Sequence, residues 1–186
     1  MNRLSAIIAA TILSGAICLA DEPENYYCKQ ITSGDGLTQP SVTAMLTDSK
    51  GSLWIGTRYC LNRYVNGNLN SFSADDLSGT YVRFIHEDSK GRIWTGTEAG
   101  VSVYDRKSGR FSTVIEMVAD RVCEIDNVLY FIGGSAICSY DTVSDAVIDR
   151  VPLECSSITS ALPISKDDIL LVEKSHGLYI YNLPTK

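Results

Sequence analysis

The chain has 186 residues, with 16 Lys+Arg against 22 Asp+Glu and a formal net charge of -6 at pH 7. Its 45% apolar and 20% charged residues exclude a disordered or collagen-like chain. No clustered Lys/Arg is present to neutralise phosphates, so no nucleic-acid partner is expected.

The N-terminus reads first. Met1-Asn2-Arg3 supplies one positive charge, residues 4–20 are nearly all apolar or small, and Asp21-Glu22-Pro23-Glu24 turns acidic. These are the parts of a secretory signal peptide over residues 1–20. The rival reading is a retained anchor, since a run of about 17 residues lies at the low edge for spanning a bilayer. A membrane partner is expected only if the segment is retained. Otherwise residues 21–186 are expected in the periplasm or outside the cell. Five cysteines follow the segment: Cys28, Cys60, Cys123, Cys138 and Cys155. Exported chains can form disulfides, but an odd number leaves at least one thiol over. No pair has CxxC spacing and only two histidines exist, His86 and His176, so neither a metal nor another cofactor is expected. Most of these cysteines read as small buried apolar residues.

The strongest pattern is an internal repeat. Asp48, Ser49, Lys50, Gly51, Trp54, Gly56 and Thr57 recur as Asp88, Ser89, Lys90, Gly91, Trp94, Gly96 and Thr97. Two fainter copies follow at Val128–Asp141 and Asp168–Asn182, and the tyrosines Tyr64, Tyr104, Tyr140 and Tyr181 mark all four. Repeats near 40 residues can be propeller blades or helix pairs. Here each unit holds short Val/Ile/Trp/Tyr runs bounded by Asp/Ser/Gly turns, without a 3.6-residue period, so the pattern predicts strands.

In the first unit the strands are expected at Val42–Leu46, Leu53–Gly56, Leu61–Tyr64 and Leu69–Phe72. In the second they are expected at Val82–His86, Ile93–Gly96, Val101–Tyr104 and Phe111–Ile115. Asp48-Ser49-Lys50-Gly51 and Asn66-Gly67 read as hairpin turns. Trp54 and Trp94 are expected in the wedge between sheets, and Gly56 and Gly96 where backbones approach closely. The fold class is thus all-β, a β-propeller or propeller fragment of about four blades of four antiparallel strands. The blades span about 41–73, 80–115, 121–150 and 157–182, with residues 26–31 as a possible closing strand. A closed ring and an open arc both fit. An arc would leave blade edges open to self-association.

Gly36-Leu37, Val42, Asp48-Ser49-Lys50-Gly51, Leu53-Trp54-Ile55-Gly56-Thr57, Leu61 and Tyr64 together resemble the two-component regulator propeller repeat. The second copy departs from it at Thr95 and Val101, and the last two copies are degenerate. The resemblance implies the periplasmic sensor part of hybrid two-component systems, which sense oligosaccharides and signal through a membrane helix to a histidine kinase. These 186 residues hold no second propeller, no immunoglobulin-like connector, no helix after the repeats and no kinase. The expectation is an exported ligand-sensing propeller without the kinase, its partner an oligosaccharide or other small ligand.

Loops between second and third strands should share one face with the inter-blade connections. They bring Arg58, Tyr59, Glu98 and His176 to that side as candidate ligand-binding residues, a Tyr platform with Arg/Glu hydrogen bonding. A protein-interaction scaffold is the alternative, and a propeller lyase or hydrolase ranks behind both. No catalytic residue is assigned. His176 lacks a partner at recognisable spacing, and His86 reads as structural. Asp75-Asp76 and Asp167-Asp168 read as turn formers, and Gly133-Gly134 lacks the strand–helix context of a phosphate loop.

Overall fold

A computed structural model describes residues 28–133, 136–155 and 157–183. Residues 1–20, expected as a signal peptide, and Tyr26 and Tyr27 of the possible closing strand lie outside the described residues, and Cys28–Ile31 of that expected strand form none. Cys28–Gln30 belong to an N-terminal unit, and all regular structure belongs to the unit from Ile31 onward. Among the described residues no helix is long and apolar enough to cross a membrane.

The second unit is all strand apart from a 3₁₀ turn at Ser33–Asp35. The first sheet is β1 (Val42–Thr47), β2 (Leu53–Thr57), β3 (Leu61–Val65) and β4 (Asn68–Phe72). The second is β5 (Phe84–Glu87), β6 (Ile93–Gly96), β7 (Val101–Asp105) and β8 (Arg110–Ile115). The third is β9 (Arg121–Ile125), β10 (Val128–Gly133), β11 (Ala136–Asp141) and β12 (Ala146–Pro152). The fourth has β13 (Ile158–Pro163), β14 (Asp168–Glu173) and β15 (Gly177–Asn182). Each sheet is an antiparallel meander in chain order, and first strands of successive sheets touch one another. This is the expected propeller architecture.

Turn chemistry explains the meander. Asn66 and Gly67 adopt φ 49° and 84°, the left-handed pair a two-residue hairpin needs. In the longer hairpins Asp48 Oδ1 accepts from the Lys50 and Ser52 amides at 3.0 and 2.8 Å, and Asp88 does the same for Lys90 and Arg92. The other carboxylate oxygen of each Asp accepts the indole N–H of Trp54 or Trp94 at 2.9 Å. The repeat therefore keeps Asp and Trp six residues apart for one reason. A buried indole needs an acceptor, and the turn-forming carboxylate provides it. Ser49 and Ser89 clamp neighbouring blades, donating from their amides to Glu87 and Glu124 respectively.

Apolar packing fills three junctions. Trp54, fully buried, lies 5.1 Å from Tyr104 and 6.1 Å from Phe111, joining the first sheet to the second. Trp94 lies 5.4 Å from Phe131 and 5.0 Å from Tyr140, joining the second to the third. Ile132 and Ile137 pack with Ile158, Ile169 and Leu171 between the third and fourth. Among the described residues no buried cluster joins the fourth sheet to the first.

β5 begins at Phe84, two residues later than expected, because the Val82 amide bonds the preceding blade instead of β6. Val82 N–H donates to Thr57 O of the preceding blade at 3.1 Å, and Val82 lies against Gly56, where a Cβ would meet it at 2.5 Å. At Gly96 the close neighbour is Phe84 of the same blade. Cys60, Cys123 and Cys138 are buried free thiols, and burial pushes Cys123 up to about 12.

Candidate functional site

Val42 pairs with Thr57 and Leu61 pairs with Phe72. That register puts the β2–β3 loop, the start of β1 and the blade-to-blade connection on one rim, here termed upper. The Asp48 and Asp88 hairpins lie on the lower rim. Around the axis at the upper rim the four blades line one cavity of about 290 Å³. Blade one contributes Thr43, blade two Tyr81 and Arg83, blade three Asp120 and Arg121, and blade four Ile158 and Thr159.

The local backbone delivers these side chains. Pairing slips between Val42 and Ala44 and between Ile158 and Ser160, leaving Thr43 and Thr159 as extra residues in bulges. Thr43 Oγ1 donates to Val82 O at 2.6 Å, fastening the start of β1 to the connection that carries Tyr81. Arg83 forms an ion pair with Asp120, and its Cζ lies 5.3 Å from the Tyr81 ring centre. Arg121 donates from Nε to Thr159 O at 2.8 Å and from Nη1 to Asp120 O at 2.6 Å. Arg83 Nε is buried with no acceptor.

Two residues expected from the sequence meet this cavity's Tyr81. The exposed Arg58 places its Cζ 5.9 Å from the Tyr81 ring centre. Glu98 accepts from Thr80 N at 3.0 Å, Thr80 Oγ1 at 3.1 Å and Tyr81 N at 2.7 Å. Burial alone would raise the Glu98 carboxyl, but these hydrogen bonds outweigh it and hold the group below its ordinary value. Glu98 thus positions Tyr81. The backbone of Cys60, at φ 93°, is strained for a non-glycine residue and holds the loop bearing Arg58 and Tyr59. Tyr59 is 61% exposed on that loop. His176 sits in the β14–β15 turn of the same rim, 3.8 Å from Glu173, and is not among the cavity's lining residues.

Tyr81, Arg83, Asp120 and Arg121 were not singled out from the sequence. The available signal was a break in the repeat: Ser41-Val42-Thr43 becomes Tyr81-Val82-Arg83 in the next copy. An aromatic face, several guanidinium donors and one carboxylate around a small concavity can stack a sugar ring and hydrogen-bond its hydroxyls. No group of three potential metal ligands occurs among the described residues.

Residues 36–59 and 76–99 match the family model described as two component regulator propeller. No curated protein matches the chain. The extracellular domain of the hybrid two component system BT3049 from B. thetaiotaomicron is similar in structure, with TM-score 0.74 and 15% identity over 83% of this chain and 25% of that one. The corresponding domain of BT4673 from the same organism gives TM-score 0.68 and 19% identity over 78% of this chain and 21% of that one. The computationally designed Ika4 protein gives TM-score 0.61 and 13% identity over 78% of this chain and 93% of that one. At these identities the likeness is one of fold, and the chain spans about a quarter of the length of the first domain. Two stretches of the chain thus match the two-component regulator propeller model, and the chain has the fold of a β-propeller.

Proposed function

We propose that this chain is an exported ligand-sensing propeller whose upper axial mouth binds the end of an oligosaccharide. The observation that carries this reading is the cavity itself: every blade contributes to it, and Tyr81 presents an aromatic ring with two guanidinium groups over it. Its volume, about 290 Å³, suits one or two sugar rings rather than a long chain. Tyr81 stacks the ring, Arg83 and Asp120 bond its hydroxyls, and Arg58, Tyr59 and His176 form outer contacts on the rim. Glu98 acts through Tyr81. The similarity to extracellular domains of hybrid two-component systems supports both the export and the sensing role.

A thermal-shift and calorimetric panel of neutral and acidic oligosaccharides tests it. At least one member should bind, and Tyr81→Ala should weaken that binding by about tenfold while leaving most of the stability. No binder in the panel, or a binder indifferent to Y81A, overturns the reading.

The fourth sheet favours a second reading, association of two copies. β15 is its outer strand among the described residues, and Leu178 and Ile180 are 66% and 61% exposed. Ile180 pairs with Leu170, which pairs with the exposed Leu162, so an apolar row crosses that sheet. An unpaired strand edge with apolar neighbours is a template for another copy. Light scattering should show dimers at high concentration that the Leu178→Lys, Ile180→Lys double variant abolishes. A wild-type monomer throughout would dismiss this reading.

A further inference from the structure

The charge at the mouth runs against the charge of the chain. The protein is acidic, at -6. Yet Arg83 and Arg121 line the axial cavity with Tyr81, and Arg58 approaches the same ring from the rim at 5.9 Å, against two carboxylates, Asp120 in the cavity and Glu98 behind Tyr81. Both carboxylates are already engaged. Asp120 is bound to Arg83, and Glu98 accepts three hydrogen bonds from residues 80 and 81. The guanidiniums are not used up. Arg83 Nε is buried without an acceptor, and Arg121 Nη2 has no acceptor among the described residues. A neutral hydroxyl can fill such donor positions, but an anion fills them with charge-assisted bonds about twice as strong.

We propose that the mouth selects an anionic group, the carboxylate of a uronic acid or a sulfate ester, with Arg121 and Arg83 as its inner donors and Arg58 as its outer one. This sharpens the saccharide reading, and it makes the anion, not the sugar ring, the main determinant. Arg83 keeps its ion pair to Asp120 while its remaining donors turn to the ligand, so no buried charge has to be abandoned. The bulge residue Thr43, already donating to Val82 O, offers a neutral wall opposite the arginines and adds no repulsion.

Four probes test it by calorimetry: a uronate trisaccharide, its carboxyl-reduced counterpart, a sulfated disaccharide and its desulfated counterpart. At least one acidic member should bind about tenfold more tightly than its neutral partner. Arg121→Gln and Arg58→Gln should each erase much of that preference, whereas Arg121→Lys, which keeps the charge, should retain part of it. Free glucuronate and inorganic sulfate serve as sugar-independent probes. Binding of either, lost in R121Q, supports the anion site even if every oligosaccharide fails, in which case only the saccharide reading falls. Neutral partners binding as tightly as the acidic ones overturn the anion site and leave the saccharide reading intact. Binding of no anionic probe overturns it as well.

Discussion

Asp88→Ala is expected to lower the melting temperature by about 10 °C, from a loss of about 3–5 kcal/mol. The carboxylate is fully enclosed and serves four donors: the amides of Lys90 and Arg92, Arg92 Nε at 2.7 Å and the Trp94 indole at 2.9 Å. Alanine leaves the buried indole N–H and Arg92 Nε without an acceptor, though Arg92 keeps its ion pair to Asp145, and those orphaned donors cost more than the missing bonds themselves. Trp94 is also the wedge between the second and third sheets, so the loss spreads beyond one hairpin. Asp88→Asn keeps the shape and one acceptor oxygen but places an NH₂ against a donor, and should fall between wild type and alanine. Asp48→Ala should behave similarly at the first junction, where Arg106 Nη1 adds a fourth partner at 3.1 Å.

The same two carboxylates set an acid limit. Burial alone would raise both, but hydrogen bonds from the Trp indoles, the turn amides and Arg side chains outweigh it, so both sit below their ordinary 3.8. A carboxyl with a lower folded value binds fewer protons in the folded chain than in the unfolded one. Its stabilisation is complete above the unfolded value and drains away as pH falls below it. Melting temperature should therefore drop steeply below pH 4 in the wild type, and less steeply in the Asp48→Asn, Asp88→Asn double variant. Equal acid slopes in the two proteins, or an Asp88→Ala variant that melts with the wild type, would show that these carboxylates do not anchor the blades.

What the sequence made legible and what it hid follow from one division. Packing has to recur in every blade, so Asp48 and Asp88, Trp54 and Trp94, and Gly56 and Gly96 recur at a constant offset, and strands β1 to β8 follow from them. The weaker third and fourth copies kept their Val/Ile strands because those fill the same junctions. The proposed site at the axis draws different residues from each blade. Its members therefore fall where the copies disagree: Thr43 against Arg83, Ser41 against Tyr81, Arg58 against Glu98. The Arg83–Asp120 pair spans 37 positions and exists only because the sheets stack around an axis. Arg58 and Glu98 are legible in the sequence as loop residues of the rim that carries Tyr81. Their shared contact with Tyr81 depends on the path of the inter-blade connection, which no local pattern encodes.

Gly133→Ala should damage stability and site together. A Cβ there would lie 2.6 Å from Val118 O and 2.7 Å from both Ala119 Cα and Asp120 N. These are backbone atoms, so no side-chain rotation relieves the overlap and the 118–120 segment must move. Overpacking of this kind costs about 1–3 kcal/mol, and a backbone neighbour puts this case at the upper end, near 5–10 °C in melting temperature. The segment that moves carries Asp120, whose amide bonds Ile132 O at 2.9 Å and whose carboxylate holds Arg83 at the axial mouth. Affinity for whichever saccharide or anion binds the wild type should thus fall severalfold in G133A, beyond what partial unfolding explains at a temperature where the variant is still folded. Gly51→Ala is the matched control. Gly51 has φ 81° and nothing within 4 Å of an added Cβ, so alanine there meets only the left-handed backbone penalty of about 1–2 kcal/mol, on the lower rim. It should lose stability and keep affinity. If G133A instead binds as the wild type does while melting lower, the 118–120 backbone is a structural seam only, and Asp120 is not what holds Arg83 in register with the mouth.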